Sequence, residues 1–242
     1  MAGGTGRIGR HIVEAIVATH KHSVLVLSRA PSCPELEHLD VDFLTVDYDN
    51  HDSLVAALQG VHTVITTLVS LDQEQLASSQ LSLLKAAVES GVKRYAPSEF
   101  AVVGIKDDPM ALYRAKYIVG EAVAKSGLEY TQFQNGVFMN YFASGTKGIG
   151  YLYPFKFVVD VENCTATLPG MGDSVIAFTA ADDVGAFVAA SLDLPQWPKY
   201  SNMVGEKLSY NEVVAIAEKI KGTHLFIYIK YSDLSHANRA KV

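Results

Sequence analysis

Gly3, Gly6 and Gly9 recur at intervals of three in GGTGRIG, and Gly4, Gly6 and Gly9 also satisfy GxGxxG. An early glycine permits positive φ, a backbone without Cβ admits a pyrophosphate, and the last glycine lets helix and sheet pack closely. A helix starting here aims free N–H groups at an anion. Gly3, Thr5, Gly6, Arg7, Ile8 and Gly9 are therefore candidate ligands of dinucleotide phosphates, with a tight structural turn as the other reading of the same spacing. The choice of dinucleotide falls one strand later, where an acid about 20 residues on would hold the ribose hydroxyls of NAD. Here SVLVL (23–27) is followed instead by Ser28 and Arg29. Arg29 can pair with the 2′-phosphate of NADP, with Arg7 assisting, or it is a solvated surface cation. NADP(H) is the expected cofactor. Asp47, closing the next strand, either meets the adenine end or is an exposed turn aspartate.

These residues need a frame. From Gly6 onwards Ile8, Ile12, Val13, Ile16 and Val17 fall at helical spacing, and 23–27 reads as a buried strand. The alternation continues with strand 41–46, helix 52–59, strand 62–69, helix 73–90 capped by Gly91, strand 93–96, helix 110–126 stopped by Gly127, and strand 128–134. Apolar strands alternating with amphipathic helices predict an α/β, Rossmann-like doubly wound parallel sheet over residues 1–142. Thr66 and Thr67, ending the fourth strand, and Phe100, after the fifth in APSEFA, then reach the carboxyl edge where ligands sit in such sheets. The threonines would meet cofactor ribose or phosphate, and Phe100 would flank the nicotinamide. Residues 143–242 predict a smaller α/β lobe covering a substrate, built from β-like pieces at 155–160, 164–168 and 174–179 and helices at 182–192 and 209–221. Asp182 and Asp183 suit a helix N-terminus and are read as structural.

One feature conflicts with this frame. Only Met1 and Ala2 precede the first glycine, so the first strand is apparently missing. In the order 3-2-1-4-5-6 that strand is central. The expectation is either a truncated chain, lacking about five or six strand residues, or closure of strands 23–27 and 62–69 with displacement of the loop.

Composition narrows the partners. A net charge of −6 argues against a general nucleic-acid surface, and 49% hydrophobic with 19% charged residues suits an ordinary soluble domain without a membrane span. The N-terminal stretch lacks the pattern of a secretory signal, so a cytoplasmic address is expected. Two isolated cysteines, Cys33 and Cys164, and scattered histidines predict no metal site.

The segments GGTGRIGRHI (3–12), VHTVITT (61–67), SGVKRYAPSEFA (90–101), RAKYIVGEAVAKSGLEYTQFQNGVFMNYF (114–142) and FTAADDVGAFVAASLDLPQWP (178–198) together resemble the NmrA-like and isoflavone reductase-like branch of the short-chain dehydrogenase superfamily. The resemblance ends near residue 222. It implies NADP(H) on a Rossmann domain and hydride transfer to a small aromatic, enone or carbonyl substrate. It also singles out Lys116, which would hold the nicotinamide end and assist proton transfer, unless it is an exposed helix lysine. Asn135, Phe138, Met139 and Tyr141 would border the substrate pocket, or serve as core. Tyr113 stands one residue too close to Lys116 for YxxxK, a departure shared with isoflavone reductase-like proteins. The family also contains non-catalytic dinucleotide sensors that regulate a protein partner, which is the alternative reading.

Overall fold

The computed structural model describes residues 1–30, 33–101 and 113–230. The chain divides into two compact units, one of residues 1–136 and 179–203, the other of 137–178 and 204–242.

The first unit is a parallel sheet with helices. β1 (Val24–Ser28) pairs with β2 (Val41–Thr45), β3 (Thr63–Ile65) with β4 (Arg94–Ala96), and β4 with β5 (Glu129–Tyr130), all parallel. Around them run α1 (Arg7–Ala18), α2 (His51–Ala57), α3 (Gln73–Glu89), α4 (Arg114–Lys125) and α5 (Ala181–Ser191). Their starts follow from local chemistry. The Asn50 side chain accepts a hydrogen bond from Ser53 N–H to begin α2, and Asp72 accepts from Glu74 and Gln75 to begin α3. On α1 the buried face is His11, Ile12, Val13 and Ile16. His11 Nδ1 lies 2.6 Å from Asp182 Oδ1 in the first turn of α5, a structural role for that aspartate. Leu27, Val64, Tyr95, Leu83, Val119 and Val123 meet in the core.

Of the two expectations about the sheet, closure of the flanking strands with displacement of the loop does not occur. β1 and β3 do not close up, because Ala2 lies between them, fully buried, bridging Leu27 on one side and Thr66 on the other. Ala2 N–H donates to the Ile65 carbonyl and Thr67 N–H to that of Ala2, both at 2.9 Å. Leu27 N–H donates to Met1 at 2.9 Å, and the Met1 amino group to Leu25 at 2.6 Å. Towards the amino ends of the strands a cavity of about 600 Å³ opens between β1 and β3, lined by Met1, Ile16, Leu25, Leu58, Val64 and Ile65 among others.

Two further expectations change. Strand 62–69 narrows to Thr63–Ile65, since beyond it only Thr66 bridges Ala2. Strand 128–134 is broken at Thr131: β5 pairs with β4, whereas β6 (Gln132–Gln134) pairs in parallel with β11 (Tyr200–Asn202). The break follows from staggered neighbours, because β4 stops before Pro97, which has no N–H to extend the ladder. The start of the expected helix, 110–112, lies outside the described residues, and α4 begins at Arg114.

The second unit contains the sheet β12-β10-β7, made of β7 (Val137–Phe138), β10 (Val175–Thr179) and β12 (Glu206–Ser209). A second sheet, β13-β9-β8, is made of β8 (Val159–Asp160), β9 (Thr165–Pro169) and β13 (Phe226–Lys230). Helix α6 (Tyr210–Lys221) opens with a reciprocal Ser209–Glu212 capping box and closes on left-handed Gly222. Its buried face, Tyr210, Val213, Val214 and Ala217, packs with Phe178 and Leu168. Among the described residues no helix is long and apolar enough to cross a membrane.

Candidate active site

The glycine loop is built as its spacing predicts. Gly3 has φ +77°, and its carbonyl accepts bonds from Gly6 N–H at 2.9 Å and from the Thr67 hydroxyl at 2.9 Å. A Cβ on Gly9 would overlap the Gly3 carbonyl oxygen and come within 2.9 Å of Gly4 Cα. Gly9→Ala is therefore expected to force the loop off Thr67 and lower the melting temperature by several degrees, read by thermal circular dichroism, and an unchanged melt would contradict this packing. Helix α1 is preceded by Gly6 as its N-cap, with no side-chain cap and no acid in its first turn. A helix start of this kind suits an anion. Thr5 turns its carbonyl to Arg10 Nε at 3.1 Å, Ile8 is half-buried, and Arg7 is exposed at the first helical position.

At the carboxyl ends of β1 and β2 lies a cavity of about 640 Å³ lined by Arg29, Thr45, Asp47, Tyr48, Ser70 and Gln75 among others. Arg29 and Asp47 thus share one cleft, and the Asp47 carboxylate accepts the Asp49 N–H at 3.0 Å. Thr66 is fully buried and Thr67 nearly so, which places both at the turn between sheet and loop.

The chemical end is formed after β4. Thr66 N–H reaches the Ala96 carbonyl, and the chain then turns through Pro97, with Glu99 N–H donating to the Pro97 carbonyl at 2.8 Å. Ser98 is anchored at both ends: its N–H donates to Gln80 Oε1 at 3.0 Å, and its hydroxyl to the Leu68 carbonyl at 2.8 Å. Phe100 takes φ +41°, a strained value for a residue with a Cβ, and its buried ring stacks on Phe133 at 5.8 Å. Into this turn α4 sends Lys116, whose ammonium donates to the Ser98 carbonyl at 2.8 Å and also to that of Glu99. Burial pulls the Lys116 pKa down to about 8, against the opposing pull of the Glu99 charge. Burial likewise pushes Glu99 up to about 7, and Lys116 opposes it. Glu99 is 2% exposed, and among the described residues its Oε2 accepts no hydrogen bond.

Asn135 is fully buried, with its own carbonyl accepting the Thr179 hydroxyl at 2.8 Å and its Oδ1 left without a donor. Phe138, Met139 and Tyr141 belong to the second unit. Phe138 meets Tyr141 edge to face at 5.9 Å, Tyr141 meets Phe155 at 5.5 Å, and Met139 lines an apolar cavity of about 490 Å³ with Phe142, Phe178 and Ile216. The first unit therefore gathers the loop, Arg29, the threonines, Phe100, Lys116 and Asn135. Sequence reasoning missed Glu99 and Ser98. Their signal was a carboxylate and a hydroxyl immediately after a strand end, in the same stretch that yielded Phe100.

A doubly wound parallel sheet with a glycine turn at its centre and a polar cleft alongside defines a Rossmann-type dinucleotide fold. The NmrA-like family model matches residues 1–233, and the chain belongs to that family. Oxidoreductase BOA1 of Botryotinia fuckeliana (strain B05.10) is 35% identical over 229 residues, 92% of this chain and 75% of that one. Phenylcoumaran benzylic ether reductase PT1 of Pinus taeda is 30% identical over 236 residues, 90% of this chain and 73% of that one. A crystal structure of an isoflavone reductase superposes with TM-score 0.76 at 25% identity, covering 99% of this chain and 81% of that one.

Proposed function

We propose that this protein is an NADP(H)-dependent reductase of a small aromatic, enone or carbonyl compound. The observation that carries the reading is Lys116: a partly buried ammonium of depressed proton affinity, fixed on two backbone carbonyls at the carboxyl end of a central strand. The names of the relatives, reductases and oxidoreductases, support it.

The cofactor fits the residues present. The tightly turned glycine loop, in which a Cβ on Gly3, Gly6 or Gly9 would meet Thr67 or the loop's own backbone, and the start of α1 without a side-chain cap suit a pyrophosphate. Arg29 suits a 2′-phosphate, Thr66 and Thr67 the ribose side, and Phe100 the turn that would border the nicotinamide. When bound, NADPH supplies the hydride. The protein's part is to orient and to move a proton: Lys116 Nζ gives one N–H proton to the substrate oxygen or carbon that gains charge, and recovers it from solvent. Asn135, Phe138, Met139 and Tyr141 are the residues proposed to border that substrate.

Purified protein mixed with NADPH and a panel of aldehydes, quinones and enones is expected to consume the reduced cofactor, followed by its absorbance. Failure to bind either dinucleotide would sink the reading. Binding without turnover, indifferent to Lys116→Ala, would favour a dinucleotide sensor acting on a protein partner. For cofactor choice, Arg29→Ala is expected to weaken NADPH by about ten- to a hundredfold while sparing NADH, measured by fluorescence titration. Equal weakening of both would remove the 2′-phosphate assignment.

A further inference from the structure

Arg10 has no part in the reaction above, yet its side chain is built into the glycine loop. It stands at the fourth position of α1, and because helical side chains lean towards the N-terminus its guanidinium folds back over the first turn. There Nε donates to the Thr5 carbonyl at 3.1 Å, and Nη2 pairs with Glu35 Oε1 at 3.2 Å. The Thr5 carbonyl and the Gly6 N–H belong to one peptide plane, and that N–H donates to the Gly3 carbonyl at 2.9 Å. The plane that enters α1 is therefore held at both ends. Glu35 is fixed in turn, since its Oε2 accepts the Cys33 thiol at 3.2 Å. Its own N–H, that thiol and the Arg10 charge hold its carboxyl below the usual carboxylate range. Helix α1 thus brings Arg7 and Arg10 to its positive end and no acid in its first turn, an arrangement the helix dipole disfavours and an anion relieves.

We propose that Arg10 is a positioning residue for the dinucleotide pyrophosphate: it draws the Thr5 carbonyl onto its guanidinium, and the Glu35 carboxylate keeps it in that pose. A carbonyl oxygen turned towards a phosphate repels it, whereas the same oxygen engaged by a guanidinium leaves the start of α1 to the anion. The loop is then organised before the ligand arrives, so less of the binding energy is spent on ordering it. Arginine suits the task because its planar fork offers donors in two directions, one for Thr5 and one for Glu35. The role is separate from that of Arg29, which follows β1 and is assigned to the 2′-phosphate. It rests on the dinucleotide-binding part of the reading above and not on turnover.

The test is fluorescence titration of the full chain with NADPH and with NADH, beside its melt without ligand. Arg10→Met removes the donors and is expected to weaken both dinucleotides about tenfold, since the pyrophosphate is common to them. Its melt should stay within about two degrees of the parent, because the Glu35 partner is half exposed and such a pair adds little stability. Glu35→Gln should weaken both dinucleotides by less. Arg10→Lys, a point charge that cannot hold Thr5 and Glu35 together, should recover only part of the loss. Unchanged affinity in whichever of Arg10→Met and Glu35→Gln folds, a loss confined to NADPH, or full recovery by lysine overturns the proposal. A melt lowered by about five degrees or more in Arg10→Met also overturns it, by making Arg10 a structural residue. If the parent protein binds both dinucleotides and turns over no substrate while Arg10→Met weakens them, the positioning role stands and the reductase reading alone fails; a parent that binds neither removes both.

Discussion

Replacing Lys116 by alanine is expected to lower kcat by about a hundred- to ten-thousandfold, the range over which a positioned general acid contributes. The affinity for NADPH should fall far less, because the phosphate loop and Arg29 lie elsewhere on the sheet. Arginine should not restore the rate. It carries the charge, but its proton is not released near neutral pH, and its planar fork does not fit where one compact ammonium spans the Ser98 and Glu99 carbonyls. Single-turnover absorbance with saturating NADPH separates this loss from slow product release. A kcat within a few-fold of the parent in Lys116→Ala would remove Lys116 from the chemistry.

The largest expected effect on stability lies at the far side of the same sheet. Arg94 on β4 is buried beneath Trp197, with its guanidinium 5.4 Å from the ring centre, and Nε donates to Glu129 at 2.8 Å. Its other nitrogens donate to the carbonyls of Leu192, Leu194 and Pro195, the first of them the C-cap of α5. One side chain thereby ties β4, β5 and the end of α5 together. Arg94→Met fills similar volume but leaves the half-buried Glu129 carboxylate with the Trp197 N–H alone and takes the donors from three carbonyls, a loss of about 1–3 kcal/mol. In a chain of this size that corresponds to roughly 5 °C in melting temperature. A melt within about two degrees of the parent would show that water replaces Arg94 without penalty.

Much of this frame was written in local sequence. The helix–strand alternation located the sheet because each element carries its own period, and Asp72, Ser209 and Gly222 mark their helix ends by chemistry confined to one turn. The glycine loop was legible for the same reason: its constraints act within seven residues. Long-range pairing was not legible in this way. Nothing in LEYTQFQ announces that β6 leaves β4 for β11, because the switch depends on where Pro97 ends a strand some thirty residues earlier. Glu99 was overlooked on similar grounds. Its importance comes from the lysine seventeen residues on that folding brings beside it, and a carboxylate after a strand ordinarily faces water. Ala2, one small residue before a glycine, gave no sign that it pairs on both sides.

That double pairing makes Ala2 a seam. On one side of it lie β1, β2 and Arg29; on the other lie β3, β4 and the turn that holds Lys116. Four main-chain hydrogen bonds at Met1 and Ala2, with the Thr67 hydroxyl donating to the Ala2 carbonyl at 3.4 Å, stitch the two halves. The amides of Ala2, Leu27 and Thr67 close this seam and are expected to exchange together in a hydrogen-exchange measurement. A dinucleotide spanning both halves would act as a second row of stitches, so that ligand binding and the integrity of the sheet's centre become the same equilibrium.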